Sequence, residues 1–342
     1  MKAIRYYGKN QGFRLEDVEI PELDNDYDVI IKVEAAGLCR TDLHILDGEF
    51  EHLIKKVPFI MGHENAGIVH SIGKGVNTLK RGDAVLVYPQ ITCGICYPCR
   101  HGDDMRCVNG KFHGLDGTDG GFTQYLKTNY RNIVVIKDKE KLAEYAPLAD
   151  AGITAYHAVR KVSPILHVTD NILLIGAGGV GQIALQLLKL MGFSNIIVLE
   201  KSEQKIEFAE RLGAKQTIKY DGDEKVLSEI YKLTPDGIDA VFDFVGDDRT
   251  SSLSIRLLKP TGIYSGIGYG GILRISTMEL IAKELTILGN LVGTYAELCD
   301  LVKICERFNI RIPIRTFPIE QFPQAVDELR KGNVLGRALI KP

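Results

Sequence analysis

Between Ile172 and Gly181 the chain reads Ile172-Leu173-Leu174-Ile175-Gly176-Ala177-Gly178-Gly179-Val180-Gly181. Four apolar residues run straight into a G-x-G-x-x-G turn, and few structures suit that sequence. Gly176 permits the tight turn, Gly178 lets the backbone approach a pyrophosphate, and Gly181 allows a helix to pack closely on the strand. The helix N-terminus then offers unpaired N–H groups and a partial positive charge to phosphates. With 35 glycines in the chain the motif alone is weak. Here a strand precedes it, a helix follows it, and Glu200 closes the next apolar run, twenty-four residues after Gly176. An acid there hydrogen-bonds an adenosine ribose, and it favours NAD over NADP because a 2′-phosphate would meet a like charge. Lys201 and Lys205 act in the opposite sense, and a solvated carboxylate at a helix entry is the alternative role for Glu200. The stretch 172–190 is apolar enough to suggest a membrane span, but its four glycines with Gln182, Gln186 and Lys189 favour strand, turn and helix.

A length of 342 residues predicts about two domains at ~150 residues each. Up to about residue 150, short β-like runs at 29–33, 67–72, 84–88 and 133–136 are punctuated by Gly, Pro and Asp, which predicts an irregular, mainly antiparallel β domain. From about Asn171 apolar strand alternates with amphipathic helix, the pattern of a parallel α/β sheet. Strands are expected at 171–175, 195–200, 216–218, 238–245, 262–266 and 285–288, with helices starting near Gly178, Ser202, Asp223, Asp248 and Thr277. Ser202 suits a helix start and Gly213 a helix stop. Helices at 296–308 and 325–331 and a strand at 337–340 follow, so the C-terminal tail is expected to return to the first domain.

Four of the seven cysteines crowd into Cys93, Cys96, Cys99 and Cys107. Without a secretory signal such spacing reads as metal binding before disulfides. Zinc with four thiolates is saturated and therefore structural. Four unrelated reduced thiols are the alternative. Cys39 and His63 form a more dispersed pair. A catalytic zinc needs about three protein ligands and an open position, but read alone a single cysteine is more often buried and inert.

Taken together, Cys39-Arg40-Thr41-Asp42-x-His44, Gly62-His63-Glu64-x-x-Gly67-x5-Gly73-x-x-Val76, the four-cysteine lobe and the dinucleotide fingerprint occur in one order along the chain. In this the sequence resembles the zinc-dependent medium-chain dehydrogenases, the alcohol dehydrogenases with their polyol and sugar relatives. The resemblance covers essentially the whole chain. It implies an α/β protein with an irregular, mainly-β GroES-like catalytic domain (1–152 with 291–342) and a doubly wound parallel-sheet Rossmann domain (153–290). Two zinc ions per chain are implied, one catalytic and one structural. Cys39 and His63 become catalytic zinc ligands, with Glu64 a neighbouring carboxylate that coordinates in some states. Asp150 stands where many members carry cysteine, and a carboxylate oxygen is an acceptable zinc ligand; a helix N-cap is its other use. Thr41 falls where the family contacts the substrate oxygen, and His44 ends a proton relay to solvent, an exposed structural histidine being the competing role. Arg40 and Arg337 match positions that contact cofactor phosphates. Thr154, Val180, Val245, Ile267, Leu291 and Val292 fall around the nicotinamide, although apolar residues at strand ends are usually core.

The implied reaction is reversible oxidation of a primary or secondary alcohol to an aldehyde or ketone, with hydride passing from an alkoxide at the zinc to NAD(P), at a site between the domains. A sugar or polyol substrate is the rival within the family, with Glu51, His113, Asp116 and Asp119 offering polar groups. A zinc-stabilised NAD-binding sensor without turnover is the rival outside catalysis. Net charge −2 without a long basic run argues against nucleic acid. The N-terminal residues lack an apolar signal core, so a cytoplasmic protein with a small-molecule partner and no membrane contact is expected. The family resemblance further implies a homodimer or homotetramer meeting along 285–294.

Overall fold

Strand Asp28–Leu38 organises the first of two units, which comprises Met1–Ile153 and Gly293–Pro342. The computed structural model describes residues 1–342. On one side Asp28–Leu38 pairs antiparallel with Glu64–Ile72, which sets Gly37 opposite Glu64 and Val33 opposite Gly67. On the other it pairs with the late strand Arg337–Lys341, setting Leu38 opposite Ala338. Six of the seven strands of this sheet follow the order Ile133–Ile136, Ala84–Val87, Glu64–Ile72, Asp28–Leu38, Arg337–Lys341, Ile314–Pro318, and Tyr125–Asn129 also pairs with Asp28–Leu38. All pairings are antiparallel except the last, between Ile314–Pro318 and Arg337–Lys341. Burial drives the arrangement: Tyr6, Phe59, Phe122 and Phe322 are wholly inaccessible and share one core with Ile31, Leu38 and Ile340. Each such side chain removed from water contributes about 1.5–3 kcal/mol.

Register has a direct consequence for chemistry. Cys39 follows the end of one strand, His63 precedes another, and Arg337 begins a third. Pairing of these strands brings the three residues to the same end of the sheet.

The second unit, Thr154–Val292, holds a six-stranded, wholly parallel sheet. Its strand order is Gln216–Lys219, Ile196–Glu200, Ile172–Ile175, Ile238–Asp243, Leu258–Gly266, Thr286–Gly289. Chain order reverses at Ile172–Ile175, the switch point at which doubly wound sheets bind ligands. Ile172–Ile175 and Ile238–Asp243 are buried along their whole length, as parallel strands covered on both faces must be.

Local chemistry explains where elements depart from expectation. The helix after the fingerprint runs Gly181–Leu190 and not from Gly178, because Gly178 to Val180 are spent on the turn. Ser202 stands at the N-cap of Glu203–Arg211 but its side chain makes no capping bond. Ile238–Asp243 stops two residues short of the expected 245, since the Asp243 carboxylate ties down the next backbone N–H groups. Helix Tyr295–Phe308 opens on a capping box of Thr294 and Glu297, and Phe322–Arg330 begins earlier than 325 with Pro323 in its first turn. No helix is long and apolar enough to cross a membrane.

Candidate functional site

Cys39 is the N-cap of helix Arg40–Leu46, and its Sγ accepts the Thr41 N–H at 3.2 Å. Asp42, in the same turn, accepts the Cys39 N–H through Oδ2 at 2.9 Å. His63 brings Nε2 to 3.1 Å from the Cys39 sulfur and 3.5 Å from Asp150 Oδ2. On the opposite side of the ring, Nδ1 lies 3.6 Å from Asp42 Oδ1, and both of these buried atoms lack a hydrogen-bond partner. Cys39, Asp42 and His63 thus form a close cluster, but Asp42 faces the nitrogen away from the sulfur. Asp150 shares the Nε2 side with Cys39.

The spacing of Cys39 and Asp150 from His63 Nε2 fits zinc. Sulfur, nitrogen and oxygen ligands at ordinary zinc bond lengths stand about 3.4–3.6 Å apart in a tetrahedron, close to the separations found. With an ion held there, Asp42 would be the carboxylate behind the ligating imidazole. Burial disfavours a charged His63, yet Cys39, Asp42 and Asp150 outweigh it and hold the imidazole well above its ordinary range. Burial also works against the Asp150 carboxylate, but His63 and Arg337 prevail and lower it. The anionic groups around His63 thus favour positive charge at this point.

Glu64 has a different occupation. Its carboxylate is fully buried, accepts the Ala151 N–H at 3.0 Å, and is gripped by Arg337 through Nε at 2.9 Å and through Nη2. Burial raises the Glu64 carboxyl while the guanidinium opposes that rise. Burial likewise opposes the charge on Arg337, but Glu64, Cys39 and Asp150 hold it protonated. Close approach leaves no alternative at Gly37, where a Cβ would lie 1.8 Å from Glu64 Oε2. Arg337, expected to contact a cofactor phosphate, lies with its guanidinium on the Glu64 carboxylate. The Ala151 N–H also goes to Glu64, so Asp150 is not capping that group.

His44 pairs through Nδ1 with Glu49 Oε2 at 2.5 Å and lies against Phe50. Arg40 is exposed at the start of the same helix. His113 is buried between the Asp119 carbonyl and the Thr128 hydroxyl, Asp119 accepts from Ile60 N–H, and Asp116 is tied to Lys55 and Thr118. These three are loop-fixing groups, and Glu51 likewise accepts the Lys9 N–H.

In the lobe, Cys96 Sγ lies 3.4 Å from Cys99 Sγ and 3.9 Å from Cys107 Sγ, and all four sulfurs lie within 4.8 Å of one another. Tetrahedral zinc with Zn–S bonds of about 2.3 Å needs sulfurs about 3.8 Å apart, so the thiols fit the ion. Backbone N–H groups of Ile95 and Cys96 pull Cys93 down to about 6, while burial pushes Cys99 up to about 12. Arg131 pins the lobe by donating to the Thr92 and Cys93 carbonyls.

In the second unit the fingerprint glycines divide the work. Gly176 has φ +90°, a Cβ on Gly181 would lie 2.0 Å from the Gly176 carbonyl oxygen, and a Cβ on Gly178 would meet only open space. Glu200 Oε2 accepts the Ala177 N–H at 2.9 Å, and its Oε1 accepts from Lys201 and Ser202. This backbone cradle with its adjoining acid fits a dinucleotide. Val180 is the N-cap of Gly181–Leu190, Thr154 lies on helix Ala151–Val162, and Val245, Ile267, Leu291 and Val292 follow the carboxyl ends of neighbouring strands. Asp42, Glu49 and the Glu64–Arg337 pairing lay outside the sequence reading. Only Asp42 carries a local signal, its place three residues after an N-cap.

Residues 25–138 match the alcohol dehydrogenase GroES-like domain and residues 179–307 match the zinc-binding dehydrogenase domain. The chain is 33% identical over 352 residues to the NAD-dependent alcohol dehydrogenase of Sulfolobus acidocaldarius, spanning 100% of this chain and 99% of that one. It is 31% identical to the D-arabinose 1-dehydrogenase (NADP(+)) of Saccharolobus solfataricus, over 96% of this chain and 94% of that one. Among solved structures it is similar to the alcohol dehydrogenase of the hyperthermophilic archaeon Aeropyrum pernix, with a TM-score of 0.95 and 39% identity over 100% of both chains.

Proposed function

Because this chain belongs to the zinc-dependent medium-chain alcohol dehydrogenase family, we propose that it interconverts an alcohol and its aldehyde or ketone with a nicotinamide cofactor as hydride carrier. The observation that carries this reading is the placing of Cys39 Sγ and Asp150 Oδ2 within 3.5 Å of the same buried His63 nitrogen, in a chain that also bears a dinucleotide cradle. When bound, zinc supplies a Lewis acid that makes an alcohol hydroxyl acidic near neutral pH, and the nicotinamide accepts the hydride.

The protein's own groups have separable tasks. Cys39, His63 and Asp150 hold the metal, Asp42 orients the imidazole, and Glu64 stays with Arg337 beside the centre. Thr41 receives the substrate proton at its hydroxyl and His44 moves it towards solvent, its ring held by Glu49. Glu200 binds the adenosine ribose, Arg40 faces the phosphates, and Thr154, Val180, Val245, Ile267, Leu291 and Val292 surround the nicotinamide. The lobe thiols hold a second, structural zinc. Glu200 favours NAD over NADP. The outermost strand Thr286–Gly289, with Ile287 and Leu291 exposed, supports a homodimer or homotetramer joined along that edge.

A sugar substrate is the second reading, favoured by the likeness to the D-arabinose dehydrogenase. Initial rates of NAD and NADP reduction across primary alcohols, secondary alcohols, polyols and aldoses, before and after chelation, decide among these. Chelator-sensitive turnover of one class supports the dehydrogenase and fixes its substrate. Cofactor binding without turnover of any class, at full zinc content, would favour a non-catalytic sensor.

A further inference from the structure

At the carboxyl end of strand Ile238–Asp243 a fully buried carboxylate collects four neutral donors. Oδ1 of Asp243 accepts the Val245 N–H at 3.0 Å and the Gly246 N–H at 2.9 Å. Oδ2 accepts the Thr250 hydroxyl at 2.8 Å and the Tyr264 hydroxyl at 3.2 Å. The backbone carbonyl of the same residue accepts the Ile267 N–H at 3.0 Å and the Gly268 N–H at 2.9 Å. One residue therefore secures two loops that leave adjacent strands at the same end of the sheet.

The loops meet backbone to backbone. A Cβ on Gly246, whose φ is +69°, would lie 2.1 Å from the Gly268 carbonyl carbon, and one on Gly268 would lie 2.3 Å from that of Val245. Val245 in turn leans on the fingerprint, since a Cβ on Gly176 would approach its Cγ2 to 3.0 Å. Burial pushes the Asp243 carboxyl up, against its four donors. A buried carboxylate without a cationic partner is costly, so a site that keeps one has a use for it.

Strand order divides the cofactor cradle. Glu200 ends the strand on one side of Ile172–Ile175, and Asp243 ends the strand on the other. Building on the dehydrogenase reading above, we propose that Asp243 is a positioning residue for the nicotinamide half of the cofactor. Its side chain fixes the loop carrying Val245, its carbonyl fixes the loop carrying Ile267, and the adenosine half is left to Glu200.

The test titrates wild-type, Asp243→Ala, Asp243→Asn and Tyr264→Phe proteins with NADH and, separately, with ADP-ribose, which lacks the nicotinamide. Removing the carboxylate strands four buried donors, so Asp243→Ala is expected to weaken NADH by about tenfold or more while ADP-ribose affinity stays within about twofold. Asp243→Asn keeps an acceptor for the two N–H groups and turns its amide to the hydroxyls, so its loss falls between wild type and alanine. Tyr264→Phe shifts NADH in the same direction by about two- to threefold. Unchanged NADH affinity in Asp243→Ala, or equal loss of both ligands, would overturn the proposal. If the alanine variant does not fold, the NADH-selective loss in Asp243→Asn and Tyr264→Phe carries the same decision. Wild-type protein that binds neither NADH nor NADPH would overturn the dehydrogenase reading itself, a result distinct from any ordering of the variants.

Discussion

Replacing Arg337 by Met keeps most of the side-chain stem and deletes the charge beside Glu64. Two guanidinium nitrogens now serve that carboxylate, whose remaining backbone partner is the Ala151 N–H. Breaking a buried ion pair from one side costs about 3–5 kcal/mol, because the surviving charge stays desolvated. At about 2–4 °C per kcal/mol for a domain of this size, the melting temperature should fall by about 10 °C. A pH signature accompanies the loss. Burial already raises the Glu64 carboxyl and Arg337 opposes that rise, so without Arg337 it climbs further. A carboxyl whose folded pKa exceeds its unfolded value of about 4.3 binds extra protons when folded, and stability then declines as pH increases between the two. The deficit of Arg337→Met is therefore expected to be smallest near pH 5 and to widen towards pH 8. Scanning calorimetry of zinc-loaded wild type and variant across that range, with metal content measured in parallel, reads both effects. A melting temperature within about 2 °C of wild type at neutral pH, or a deficit that does not grow with pH, would refute the reasoning.

Two further substitutions probe the rest of the proposed site. Cys96→Ser removes one of four thiolates, so bound zinc should drop from about two to about one per chain, with a lower melting temperature, since metal binding energy is folding energy; unchanged zinc by atomic absorption would exclude the four-thiolate site. His44→Gln should slow turnover by about a hundredfold with NADH affinity retained. Unaltered steady-state rates would remove His44 from proton transfer.

Local signals carried much of the fold. The apolar strand, three spaced glycines and the acid at Glu200 fall within thirty residues, and the structure sets them in one cradle. The cysteine lobe is equally local, spanning Cys93 to Cys107. What escaped reading were pairings set by strand register. Glu64 and Arg337 lie 273 residues apart and meet only because Gly37 faces Glu64 on one side of a strand while Leu38 faces Ala338 on the other. No window of sequence contains that information. Asp243 was hidden for a different reason: in the sequence it is an acid inside the expected strand 238–245, and only burial with four donors distinguishes it from a solvated one. The helix starting at Gly181 in place of Gly178 shows the limit of periodicity next to glycine, whose freedom lets the turn take three more residues.

The pairing of Arg337–Lys341 with Asp28–Leu38 also bears on how the protein is made. Cys39, His63 and Asp150 all leave the ribosome long before the guanidinium that secures Glu64. Until that late strand inserts, the stretch 36–38 that leads into Cys39 lacks this partner, and the neighbouring carboxylate lacks its counter-charge. On the proposed metal reading, an ion captured by the nascent chain would sit in a half-built shell, and durable loading would follow release of the polypeptide.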